Sequence, residues 1–230
     1  MNQLVKRITI LSIVVMTWGT SVFSQETATA AEKEAAYTKV ITERADKIVQ
    51  ALSISDQKKA LKVRDIIAGQ YRGLNNIHEA RKASVKSAKE INKENRALAD
   101  SAVKKIEEEE KLQLSKLHTA YLKSLSAELN PQQVEAVKDG MTYRVLPITY
   151  NGYLQMLPNL TEDQKKQILA YLTEAREFAM DAESSEKKHG WFGKYKGKIN
   201  NYLSAAGINM KQASIDWQNR IKQEEAKKKM

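Results

Sequence analysis

The chain has 230 residues, with 38 Lys and Arg against 28 Asp and Glu, a formal charge of +10. It has no cysteine, nine glycines and three prolines. That excludes a disulfide scaffold, a cysteine-ligated zinc site, a thiol nucleophile and a collagen-like or Pro/Gly-rich disordered chain. Apolar residues make up 42%, enough for a core in one domain or two small ones.

Lys6 and Arg7 precede an apolar run from Ile8 to Met16, and Val22-Phe23-Ser24 resembles a signal-peptidase site. The run is too short for a span of roughly 20 apolar residues. Residues 1–24 therefore read as a signal peptide, with a mature chain starting near Gln25 in the periplasm or outside the cell. No cysteine follows the run, so the expectation is not a lipoprotein. Removing Lys6 and Arg7 lowers the charge to +8. Outside a cell, the anions a basic protein meets are acidic polysaccharides, lipid headgroups and other proteins rather than nucleic acid.

The mature chain divides into two halves by its breakers. Residues 25–130 contain no proline and only Gly69 and Gly73. Apolar residues there recur near every 3.6 positions, as in Leu61, Ile66, Ile67, Tyr71 and Leu74. This predicts amphipathic helices near 27–51, 55–90 and 93–128, with a long hairpin that offers a coiled-coil surface. Glu107 to Glu110, flanked by lysines, reads as a solvated helix face.

Residues 131–230 hold Pro131, Pro147 and Pro158 and most of the glycines. Asn130-Pro131-Gln132-Gln133 and Thr161-Glu162-Asp163-Gln164 are helix starts with a cap and a glutamine three residues on. Helices are expected at 131–142, 161–183, 191–206 and 209–228. Thr142 to Asn159, with two prolines and Gly152, is expected to be irregular. No alternating β-branched run is present. The fold class is all-α: a long helical hairpin packed with a compact aromatic-rich helical unit, the two halves forming one continuous domain.

The capped starts, Leu160-Thr161-Glu162-Asp163-Gln164 above all, resemble the LTxxQ motif of small periplasmic Spy-type chaperones. That resemblance implies an envelope chaperone or adaptor. A capping box generates the same pattern by itself.

Ten of the 13 aromatic residues after residue 24 lie between 143 and 217. On a helical wheel Trp191, Tyr195, Ile199 and Tyr202 form one stripe, with Lys194, Lys198 and Asn201 along its flank. Such a stripe packs inward or offers an aromatic platform. Gly190, Gly193 and Gly197 fall on the opposite side and point to a close approach by a helix or a ligand. A second segment, Gly140 to Leu154, carries Tyr143, Arg144, Tyr150, Asn151 and Tyr153. Tyrosine and tryptophan combine an apolar face with a polar tip, as ligand pockets need.

The two segments, Met141-Thr142-Tyr143 through Pro158-Asn159-Leu160-Thr161 and Trp191-Phe192-Gly193-Lys194-Tyr195-Lys196-Gly197 through Asn200-Asn201-Tyr202-Leu203, resemble a secreted family of Gram-negative gut-type bacteria. That family is catalogued as a domain of unknown function with a sugar-binding description. The resemblance implies a carbohydrate-related role and brings no catalytic residues.

Enzyme chemistry finds little support. His78, His118 and His189 lack metal-ligand spacing. No phosphate loop or nucleophile elbow is present. Asp139, Asp181 and Glu183 are the acids nearest the breakers, but nothing selects a hydrolytic pair. The expectation is a non-catalytic exported protein without metal or cofactor, binding carbohydrate of acidic type. Tyr143, Tyr150, Trp191 and Tyr195 would stack on sugar faces. Arg144, Lys194, Lys198 and Asn201 would hold hydroxyls or carboxylates. A protein partner docked on the long hairpin is the other expectation.

Overall fold

The computed structural model describes residues 29–228. The expected signal peptide and its cleavage position lie outside the described residues. Eight helices follow in chain order. They are α1 (Ala30–Gln50), α2 (Gln57–Ile91), α3 (Arg96–Glu128), α4 (Pro131–Met141), α5 (Val145–Met156), α6 (Glu162–Met180), α7 (Ser185–Ala205) and α8 (Met210–Lys228). No strand is found among the described residues, so the fold is all-α. None of these helices is long and apolar enough to cross a membrane.

Local chemistry explains most of the boundaries. The Asp56 carboxylate accepts from the Lys58 and Lys59 backbone N–H groups at the start of α2. Asn95 caps α3 by accepting from the Leu98 N–H. The two LTxxQ-like stretches are both capping boxes: Asn130 with Gln133, and Thr161 with Gln164. Gln133 also donates to the Leu52 carbonyl at 3.3 Å, fixing the start of α4 against the chain leaving α1.

The segment expected to be irregular contains α5. Pro147 is the third residue of that helix. In the first turn a backbone N–H has no intrahelical acceptor, so proline there costs no hydrogen bond. Leu146 and Tyr153 then bury one face of α5, and the Tyr153 hydroxyl reaches Asn200 Oδ1 on α7 at 2.8 Å. Tertiary packing thus outweighs the breakers.

The side chains form two cores. The first joins α1 to α4, around Val49, Val63, Ile67, Leu125 and Val137. The second joins α5, α6 and α7, around Ile168, Leu172, Phe192, Ile199 and Leu203. Helix α6 belongs to both, because Met180 at its end sits in the first core. A charged clamp strengthens that joint. Arg176, 2% exposed, donates to Asp139 at 2.7 Å and also meets Glu135 on α4. Lys138 holds Glu177 at 3.1 Å.

Helix α4 also comes unusually near α1. A Cβ added at Gly140 would lie 2.9 Å from Cγ1 of Ile48, closer than carbon atoms pack, so only glycine permits the approach. Beyond this body the α2–α3 hairpin continues outward. Between Glu79 and Lys111 only Ala88 and Ala99 are buried.

Candidate functional site: two adjoining clefts

The first cleft lies between α1, α2, the α4–α5 turn and the α6–α7 turn, with a volume of about 790 Å³. Its shape depends on an unusual turn. Tyr143 (φ 57°) and Arg144 (φ 56°) are consecutive left-handed residues, and neither is glycine. Such a conformation costs about 1–2 kcal/mol per residue. The Arg144 N–H donates to the Asp139 carbonyl at 2.7 Å and closes the end of α4. Strain of this kind concentrates where a side chain must be aimed for function. Tyr143 is 48% exposed, lines the cleft and stacks on His189 with ring centroids 5.4 Å apart.

The lining is rich in positive charge: Arg44 and Lys47 from α1, Lys82 from α2, Arg144 and Lys188. The acids in the lining already have partners. Asp139 is held by Arg176, Glu79 by Lys82, and Glu183 by Arg81 and Lys187. Among the described residues, Arg44, Lys47 and Arg144 make no ion pair. Lys188 is buried and donates to the Ala179 and Met180 carbonyls at 2.9 and 3.0 Å, capping the end of α6. Burial, helped by the Arg44 charge, pulls its ammonium down to about 8. Burial pushes the Tyr71 phenol up to about 12, with Arg44 opposing. The Arg44 guanidinium therefore acts on both Tyr71 and Lys188.

The second cleft, about 730 Å³, lies where α2, α3, α6 and α7 meet. Phe178 is 43% exposed and stacks on Trp191, with centroids 4.5 Å apart and planes 16° from parallel. Polar groups line the rest. His118 Nδ1 meets Asp181 at 2.9 Å and Nε2 meets Glu177 at 3.3 Å. Those two carboxylates raise the imidazole to about 9, so it is a cation with both nitrogens donating. Burial alone would raise Glu177, but His118, Lys138 and Arg176 hold it down at about 2. His78 bridges Glu110 and the Asp181 carbonyl, both at 2.8 Å.

One expectation is corrected here. The Glu107–Glu110 run is not wholly solvated, because Glu110 is turned inward onto His78 and Arg81. His78 and His118, 40 residues apart in sequence, converge on Asp181. Even so, no group of three or more His, Asp and Glu side chains among the described residues has the geometry to hold a metal ion.

The eight residues singled out from sequence do not form one site. Tyr143 and Arg144 lie together in the first cleft. Trp191 lines the second, with Lys194 Nζ 5.0 Å from its ring centroid. Tyr195 is 2% exposed and belongs to the core, with Lys198 Nζ 4.1 Å from its ring centroid. A core position removes it as a stacking platform. Tyr150 is half-buried against the second core, and Asn201 is exposed on α7. The glycine stripe also differs from expectation. A Cβ at Gly190, Gly193 or Gly197 would meet nothing within 4 Å, so no helix approaches that face. Arg44, Lys47 and Phe178 were not singled out from sequence, since charged and apolar residues on amphipathic helices look alike whether or not they line a cleft.

The family model described as "Protein of unknown function (DUF3826)" matches residues 38–223. The chain belongs to that family. The match spans most of α1, all of α2 to α7 and most of α8, so every lining residue of the two clefts except Tyr37 falls within it. No curated protein matches the chain.

Proposed function

We propose that this DUF3826 protein is an exported, non-catalytic binder of acidic carbohydrate, and that the first cleft is its site. The observation that carries this reading is the set of unpaired cations, Arg44, Lys47 and Arg144, beside the half-exposed ring of Tyr143. A guanidinium presents a planar fork that matches a carboxylate or sulfate in two hydrogen bonds. An exposed phenol ring offers an apolar face to the C–H side of a pyranose and a hydroxyl to its oxygens. A uronate supplies both complementary halves. The resemblance of the Tyr143 and Trp191 segments to a secreted family described as sugar-binding supports the same class.

Arg144 and Arg44 would hold the carboxylate, Tyr143 would stack, and Lys188 would add a fixed positive charge at the cleft wall. A glycan array that includes uronic-acid and sulfated glycans tests this. Signal on those glycans, weakened at least about tenfold by Arg144→Ala, is expected. An array silent on every acidic glycan sinks the reading.

A further inference from the structure

We infer that the ligand is a heteropolymer in which a uronate is followed by a neutral pyranose, the uronate in the first cleft and the neutral ring on Phe178 in the second. This rests on the reading of the first cleft as an acidic-carbohydrate site and names the class of polymer.

The two clefts are neighbours in the literal sense. His78, Ala182 and Glu183 line both. The α6–α7 turn, with α2 behind it, forms their common wall, so the two clefts adjoin across it.

Their chemistry is not the same. Among the described residues, the first has Arg44, Lys47 and Arg144 without an ion pair, while its three acids, Glu79, Asp139 and Glu183, are all ion-paired. In the second, Glu177, Asp181 and Glu183 are each already bonded to a cation: His118, His118 and Arg81 respectively. Of the second cleft's lysines and arginines only Lys111 makes no ion pair among the described residues, and the five acids that line the cleft oppose a carboxylate. What the second cleft offers instead is the 43%-exposed Phe178 ring, backed by Trp191 at 4.5 Å. An exposed ring held flat by a stacked partner and rimmed by polar groups offers an apolar face for a ligand to cover. An uncharged pyranose fits: its C–H face covers the ring, and its hydroxyls meet the carboxylates, which still have lone pairs to accept with.

The test is calorimetry on the full mature chain with two oligosaccharides of equal length. One is oligogalacturonate. The other alternates uronate with an uncharged N-acetylhexosamine, as hyaluronan fragments do. The alternating oligomer is expected to bind about five- to tenfold tighter, the range one aromatic stack gives. Phe178→Ala should erase that preference and leave oligogalacturonate affinity unchanged. Phe178→Tyr, which keeps the ring, should keep the preference, and melting temperatures of both variants check that each is folded. In a Trp217→Phe background, Trp191 fluorescence should change with the alternating oligomer and not with oligogalacturonate.

Equal affinities, or a preference that survives in Phe178→Ala, overturn the two-cleft ligand while the acidic-carbohydrate site stands. Binding of an entirely neutral oligosaccharide as tightly as the alternating one also overturns it. Failure of both uronate oligomers to bind removes the reading of the first cleft and this inference with it.

Discussion

The Arg176 guanidinium on α6 donates to the Asp139 carboxylate on α4 at 2.7 Å, and the carbonyl of the same Asp139 accepts from the Arg144 N–H at 2.7 Å. One residue thus links the charged clamp between the cores to the turn that aims Tyr143 and Arg144. Removing one partner of a buried ion pair leaves the others uncompensated and costs about 3–5 kcal/mol. Arg176→Met should therefore lower unfolding stability by about that amount in a denaturant titration, because Glu135, Asp139 and Glu177 all lose their shared cation. A loss below about 1 kcal/mol would mean that water replaces the clamp freely.

If Arg144 binds acidic glycan as proposed, the left-handed turn sets stability against that role. Arg144→Gly removes the steric cost of a side chain at φ 56° and should raise stability by up to about 1 kcal/mol after the extra chain entropy of glycine is subtracted. The same change should weaken acidic-glycan binding. Arg144→Ala should weaken binding without the gain in stability. Parallel melting and binding curves check this, and a destabilised Arg144→Gly would show that the arginine side chain itself holds the turn.

Glycines in α4 and α7 should respond in opposite directions. Gly193→Ala and Gly197→Ala meet open space, so each should stabilise α7 by up to about 1 kcal/mol through helix propensity. Gly140→Ala would press a methyl against Ile48 at 2.9 Å and should destabilise by about 1–3 kcal/mol, as overpacking does. Thermal melts of the three variants settle the signs. Loss of glycan binding in the α7 variants would show that a ligand uses the glycine face after all.

Stability should vary with pH in a way that separates two groups. His118 is raised from 6.5 to about 9. Its contribution is complete below 6.5 and is lost as pH rises through 9, because the folded state holds the proton longer. Lys188 is lowered from 10.5 to about 8, so its effect has the opposite sign: stability recovers between 8 and 10.5. From these two groups, melting temperature should fall from pH 6.5 to about 8, stay level to about 9 and rise from there toward 10.5. His118→Gln should remove the fall, and Lys188→Met should remove the recovery. On the acid side, Glu177, held at about 2, contributes stability that is present above 4.5 and lost as pH falls toward 2.

Much of the fold was legible because its determinants are local. Asn130 with Gln133 and Thr161 with Gln164 mark helix starts within a few residues of the chain, and apolar spacing marks the buried faces of α1 and α2. Helix α5 was hidden because Pro147 reads as a breaker unless its place in the first turn is known. The clefts were legible only in part. Tyr143 and Arg144 stood out in a segment dense with breakers. The His78–His118–Asp181 cluster did not, since three helices far apart in sequence bring it together. Tyr195 has the same spacing as Trp191, and periodicity alone does not separate a core ring from one at a cleft edge.

Helix α6 begins in one core and ends with Met180 in the other. Neither core can lose its packing without unseating a helix of its neighbour. A differential scanning calorimetry trace should therefore show a single transition with matching calorimetric and van't Hoff enthalpies. A ligand lodged between Arg44 of α1 and Lys188 of α7 would shift that whole transition upward as its concentration rises, so heat alone reports occupancy of the cleft.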